Sequence, residues 1–162
     1  MYPYLRLARV LFRSKFKSKL NFYSRDSDCI PMMVLPQDID PFMELNNGRY
    51  VTLLDLGRYG YGTRVNINAF LKKQKWSLTI TGTYNEYRYR LRLFQRFKLK
   101  TKIIGYDENW FYFFQKIRLV FNSEFAFDCS CIYTPNRSDW CENIFIVLCL
   151  FCEFFFMKTS FP

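Results

Sequence analysis

The sequence predicts an α+β fold in which an antiparallel sheet wraps around one long helix, and three features predict it. Apolar positions recur at helical spacing from about Asn47 to Arg64, with Tyr50, Leu53, Leu54, Gly57 and Tyr61 on the side to be buried. From Trp76 onward the period becomes two: Leu78-Ile80-Gly82 stand against Thr79-Thr81-Thr83, and Phe97-Leu99-Thr101-Ile103 against Lys98-Lys100-Lys102. Turns at Gly105–Asn109 and Asn122-Ser123 separate successive strands, so four consecutive strands are expected to form an antiparallel meander. A long helix set before such a meander has one economical place, against the sheet's apolar face.

The elements follow in order. Residues 4–20 read as a basic amphipathic helix with Leu7, Val10, Leu11 and Ser14 on one side and Arg6, Arg9 and Arg13 at spacings of three and four. It admits three readings: a helix packed on the domain with solvated arginines, a peripheral membrane contact, or an Arg-rich mitochondrial targeting segment. Cys29 to Leu35 is a short apolar first strand, stopped by Pro36. Asp38-Ile39-Asp40-Pro41 then makes an acidic turn, and Asn46 or Asn47 caps the long helix by accepting from a first-turn N–H. Gly57, Gly60 and Gly62 each cost the helix roughly 1 kcal/mol against Ala, which points to close approach of the helix to another backbone, with fraying towards its end. A short second helix follows Asn66 or Asn68 and runs through Ala69, Phe70 and Leu71 to Lys75. Strands are then expected through Tyr84–Leu93, where aromatics alternate with Arg, and at Trp110–Val120 and Glu124–Thr134.

After Pro135 the character changes, and Ile144–Met157 is nearly all apolar. It is shorter than the ~20 residues of a spanning helix. It can be a membrane-contacting tail, an added edge element, or sequence never selected as part of the fold. The chain therefore divides into a basic helix (1–25), the main domain (26–135) and a tail (136–162).

With 162 residues, half of them hydrophobic and 21% aromatic, the chain can bury a single core and is not disordered. Its formal charge of +10 suits an acidic partner such as a phosphate ligand, a nucleic acid or an anionic membrane. The charge is uneven: Arg6, Arg9, Arg13, Lys15, Lys17, Lys19 and Arg25 all precede the first acid, Asp26. There is no His, which excludes Ser-His-Asp and Cys-His catalysis and His-ligated metals. The six Cys read as free thiols in a reducing compartment, cytoplasmic or, by the targeting reading, mitochondrial. Cys149-x-x-Cys152 lacks a second pair, so neither a metal nor any other cofactor is expected.

The order of strand, acidic turn, Asn-capped helix and antiparallel strands resembles the hot-dog fold of acyl-CoA thioesterases, and more narrowly the 4-hydroxybenzoyl-CoA thioesterase-like group. The residues that carry it are Asp38-Ile39-Asp40, Asn46-Asn47-Gly48-Arg49-Tyr50, Leu54-Asp55-Leu56-Gly57-Arg58, Phe94-Gln95-Arg96-Phe97 and Gly105-Tyr106-Asp107-Glu108-Asn109-Trp110-Phe111-Tyr112. They run collinearly from about Tyr4 to Tyr133. The resemblance implies hydrolysis of an acyl-CoA thioester, with Asp40 as nucleophile or as base for water. Amides of the Glu44–Asn47 segment would polarise the carbonyl as an oxyanion hole does. Asp38 is left as a turn or structural acid.

Asn46, Asn47, Tyr50, Arg88 and Arg90 fall on the implied substrate side, although Tyr50 by itself reads most simply as a core or interface aromatic. The family's acyl pocket forms between subunits, so a homodimer or larger assembly is implied. Glu44 stands where the family usually has His. A second carboxylate there would resist ionising alongside Asp40. Glu44 thus either replaces His as a base for water or marks a non-catalytic module that binds acyl chains or a protein partner. Two further patterns have simple structural readings. Asp55 and Arg58 are spaced for a helix ion pair. Arg88, Arg90 and Arg92 share one strand face beside Tyr84, Tyr87 and Tyr89, as a solvated face, a coenzyme A phosphate contact or, least favoured, a nucleic-acid surface.

Overall fold

The computed structural model describes residues 2–23, 26–75, 78–107, 110–120 and 125–135. The tail beyond Pro135, with its apolar run and the Cys149-x-x-Cys152 pair, lies outside the described residues. The element order is α1 (Tyr4–Phe16), β1 (Asp28–Met33), α2 (Asn47–Arg64), α3 (Ile67–Gln74), β2 (Leu78–Tyr87), β3 (Arg96–Tyr106), β4 (Phe111–Leu119) and β5 (Phe125–Pro135), with a 3-10 turn at Pro36–Asp38 between β1 and α2. The class is α+β, and the long helix begins and ends where the periodicity places it.

The five strands form one antiparallel sheet in the order β1-β3-β4-β5-β2. This corrects the expected path, because only β3, β4 and β5 form a meander. The alternating stretch Tyr84–Leu93 is not one strand: it leaves the sheet after Tyr87, and the chain crosses to the far side of β5 and β4 before β3 begins. The crossover is fixed by contacts that sequence alternation does not register. Leu91 is fully buried and its carbonyl accepts from Leu45 N–H at 2.8 Å. Val34 and residues 94–95 exchange two further backbone bonds, and Phe94 adopts a left-handed φ of 59°. With β1 already on one edge of β3, β2 takes the opposite edge of the sheet. Pro31 is tolerated within β1 because an edge strand need not donate on its outer side.

The core lies between α2 and the sheet. Tyr50, Leu53, Leu54, Gly57 and Tyr61 are all buried, as are Phe97, Leu99 and Ile103 of β3 and Phe113 and Ile117 of β4. Leu56, Arg58, Gly60, Gly62 and Arg64 are buried too, because α1 covers the other side of α2 through Val10 and Ser14. A Cβ on Gly57 would come within 2.6 Å of Leu99 Cδ2 and 2.8 Å of Thr101 Oγ1, and one on Gly60 within 2.7 Å of Ile30 Cδ1 and 2.9 Å of Val10 Cγ1. The two glycines are therefore where the sheet and α1 press on the helix. The neighbours are side chains of both layers rather than another backbone.

The principal polar groups of this interface are tied to one another and to the backbone of α2. Buried Gln115 donates from Nε2 to Leu54 O at 3.0 Å and Thr101 Oγ1 at 2.9 Å, and its Oε1 accepts from Arg58 Nη1 at 2.6 Å. Arg58 also forms the expected ion pair with Asp55. At the C-terminal end of α2, Arg64 reaches fully buried Asp28 at 2.5 Å and the Ser18 carbonyl, which fastens the segment after α1 to the helix end.

Candidate functional site

The site grows from the turn between β1 and α2. Ile39 and Leu45 form an isolated antiparallel bridge, and Asp40 N–H donates to Glu44 O at 2.8 Å, so residues 39–45 close on themselves. Asp40 Oδ1 accepts from Phe42 N–H at 2.9 Å and Glu44 N–H at 3.2 Å. The described residues offer its second oxygen no partner, and the residue is half-buried. Met43 completes the turn at φ 62°, a conformation that costs a non-glycine residue on the order of 1–3 kcal/mol.

Asp38 supports this turn from beneath. It is fully buried, pairing with Arg6 of α1 at 2.7 Å and Arg49 of α2 at 2.8 Å, and it accepts from Leu35 N–H at 3.0 Å. Its carbonyl also accepts from Asn46 N–H at 2.9 Å. The structural role expected for Asp38 is therefore explicit. Its two arginines were missed: Arg49 lies a turn and a helix start away, and Arg6 comes from a different element altogether.

Asn46 is the N-cap, its Oδ1 accepting from Gly48 N–H at 2.9 Å. Of the amides expected to face a carbonyl, those of Glu44, Leu45 and Asn46 already donate to Asp40 Oδ1, Leu91 O and Asp38 O. The Asn47 N–H is the one for which the described residues supply no acceptor, and it opens the positive end of the α2 dipole.

Glu44 does not simply add charge beside Asp40. Its Oε1 pairs with Arg90 Nη1 at 2.7 Å, and its backbone bridges Arg92. Arg88 pairs with Glu86 at 3.1 Å. Both candidate phosphate contacts thus already face carboxylates of this chain, in exposed pairs of the kind worth about 0–1 kcal/mol. Arg88, Arg90 and Arg92 lie in the crossover and not along one strand face, which corrects that expectation.

Tyr50 takes the buried side of α2, as its helical spacing predicts. It is 3% exposed, stacked on Phe127 at 4.9 Å and edge-on to Tyr87 at 5.2 Å. Burial pushes its phenol up to about 12, against a backbone hydrogen bond at Leu91 that lowers it. Within this chain it is a core aromatic that backs the Leu45–Leu91 contact.

Three comparisons place this geometry among known proteins. A family model described as "Thioesterase-like superfamily" matches residues 34–123, which contain the turn, α2, α3 and strands β2 to β4. Protein THEM6 of Danio rerio is 34% identical over 83 residues, 51% of this chain but only 41% of the length of that protein. The 1,4-dihydroxy-2-naphthoyl-CoA thioesterase of Synechocystis superposes with a TM-score of 0.62 at 7% identity, covering 70% of this chain and 84% of that one. A 4-hydroxybenzoyl-CoA thioesterase mutant solved with 4-hydroxybenzoyl-CoA superposes with a TM-score of 0.61 at 10% identity, covering 72% and 88%. At such identities the solved structures show the fold, which is the hot-dog fold.

Proposed function

Because this chain belongs to the thioesterase-like superfamily, we propose that it hydrolyses an acyl-CoA-type thioester with Asp40 as the reacting carboxylate. The observation that carries this reading is the Asp40 turn: one oxygen is held by two amides, the other is left to act, and the α2 N-terminus follows directly. Asp40 attacks the thioester carbonyl or takes a proton from the attacking water. The Asn47 amide and the helix dipole stabilise the oxyanion. Water supplies the oxygen of the product carboxylic acid, and the coenzyme leaves as the thiol. The CoA ligand of the solved 4-hydroxybenzoyl-CoA thioesterase supports the substrate class.

The acyl pocket is completed by a second copy. The open edge of β2, with Ile80 and Tyr84 exposed, is where such a copy can continue the sheet. A peripheral membrane contact through α1 fits the same picture. With Val10 and Ser14 turned inward, Leu5, Phe12 and Phe16 are 90%, 65% and 76% exposed along one outer stripe, beside exposed Arg9 and Arg13. No helix among the described residues is long and apolar enough to cross a membrane.

The test is release of free thiol across a panel of acyl-CoAs. Asp40→Ala is expected to reduce turnover by about a hundredfold or more, as loss of a positioned acid or base does. Activity unchanged in that variant sinks the mechanism. A second reading, a non-catalytic acyl- or partner-binding module, is favoured by the Glu44–Arg90 pair at the family's usual His position. Complete inertness of well-folded protein over the whole panel would select it.

A further inference from the structure

The face of the sheet turned away from α2 is strongly cationic along β3 and β4. Phe97, Leu99, Thr101 and Ile103 point inward and are buried, which turns Arg96, Lys98, Lys100 and Lys102 outward. On β4 the same alternation buries Phe113, Gln115 and Ile117 and turns Lys116 and Arg118 outward, in line with half-buried Tyr112 and Phe114. Lys98 stands directly opposite Arg118, and Lys100 directly opposite Lys116. From Arg96 to Lys102 and from Tyr112 to Arg118, the outward positions hold six cations and no carboxylate. The strip ends at β5, where Asp128 stands opposite Lys116 in register.

The fold does not ask for this arrangement. Like charges directly opposite on neighbouring strands destabilise a sheet. Lysines on an edge strand keep other sheets away, but β3 and β4 are interior strands of the order β1-β3-β4-β5-β2. A partner that carries several negative charges relieves the repulsion.

We propose that this face binds single-stranded nucleic acid, with the phosphodiester chain along β3 and β4 and a base on Phe114. Outward positions recur about every 6.7 Å along a strand, and neighbouring strands lie about 4.8 Å apart. The six cations therefore form a narrow strip that follows one extended chain. Phe114 lies within it, with Lys102 Nζ 5.6 Å and Lys116 Nζ 5.0 Å from its ring centroid. Both lysines have flexible stems, so a base that takes the ring face leaves two ammonium groups beside its own phosphates. A second copy of this face would set like charges together. A bilayer is met better by α1, with Leu5, Phe12 and Phe16 exposed, because no outward side chain of the strip is a large exposed apolar one. The arginines of residues 88–92 lie in the crossover and take no part. The proposal does not require that the protein hydrolyse thioesters.

The test is fluorescence anisotropy of a labelled oligodeoxythymidylate, about 16 nucleotides long, titrated with the full chain at several salt concentrations. Inorganic polyphosphate, polyglutamate and anionic vesicles serve as competitors. Affinity is expected to fall with salt at a log–log slope of about −3 to −4, as about five or six neutralised phosphates require. Lys98→Glu with Lys100→Glu places each acid opposite a cation, so the melting temperature should hold or rise while affinity falls about tenfold or more. Arg9→Glu with Arg13→Glu, an equal change of charge on α1, should weaken binding by less than about threefold. Phe114→Leu should weaken the oligonucleotide by about fivefold or more and leave polyphosphate binding as it was. Absence of binding at low salt, or an equal loss in the α1 variant, overturns the proposal. Polyglutamate competing as well as the oligonucleotide itself, or Phe114→Leu without effect, overturns the assignment to nucleic acid. Vesicle binding lost in the β3 variant and kept in the α1 variant would give the face to a membrane instead.

Discussion

At the scale of single residues, Asp40 and Glu44 share one turn but do different things. Asp40 is oriented by its own turn amides, whereas Glu44 is drawn outward to Arg90, whose side chain is 72% exposed. That exposed pair is weak, so position 44 can be changed without unfolding the turn. Glu44→His is expected to raise thiol release by about tenfold or more if the family's usual residue supplies a missing base. A fall in activity would instead show that Glu44 is itself the working base. The acidic turn and the Asn cap were legible because their hydrogen bonds close within a few residues of chain. The Glu44–Arg90 pair was not, since its members lie 46 positions apart and meet only through the crossover.

Two tyrosine phenols, one on buried Tyr50 and one on half-buried Tyr112, set a pH limit. The Tyr50 and Tyr112 phenols are both pushed up to about 12, first by burial and, at Tyr112, also by its hydrogen bond to Asp107. A raised phenol value means that the fold prefers the neutral ring. This contribution is complete below pH 10 and is lost as pH rises from there through about 12. Phenolate absorbance followed alongside circular dichroism should show these rings ionising within that window as the fold weakens. Ionisation of both well below pH 10 would contradict the burial of Tyr50 and the Asp107 hydrogen bond of Tyr112.

At the scale of elements, α2 is shaped by what presses on it rather than by its own propensity. Gly57→Ala gains roughly 1 kcal/mol of intrinsic helix preference. It also drives a methyl into Leu99 and Thr101, which are buried and packed. Overpacking of this kind costs about 1–3 kcal/mol. The expected result is net destabilisation, read as a lower denaturant midpoint with an unchanged slope; a more stable variant would show that the layers can part. The glycines announced close approach in the sequence. Gln115 and Thr101, which the same contact contains, gave no such signal, because each occupies an ordinary inward position of an alternating strand. The crossover at 88–95 was hidden for a related reason. Its aromatic–Arg alternation continues the pattern of β2, and only burial of Leu91 against Leu45 shows that the strand has ended.

At the scale of the whole molecule, the charge of +10 and the outer stripe of α1 act together. Vesicles containing anionic lipid should bind the protein reversibly and release it as salt rises through the range where screening shortens to about 8–10 Å. Replacing Leu5, Phe12 and Phe16 by Ser should abolish that binding; equal binding to neutral vesicles would rule out a charge-driven contact. What the sequence alone determined is what local periodicity and spacing encode: the class, the limits of α2, an Asn cap at its start and the acidic turn before it. Tertiary structure alone decided which edge β2 takes, which arginines hold Asp38, that Asn46 and not Asn47 is the cap, and that Glu44 answers to Arg90. Those outcomes depend on contacts between residues far apart in the chain. A pattern with a period of two or 3.6 fixes which side of an element is buried, but not which neighbour buries it.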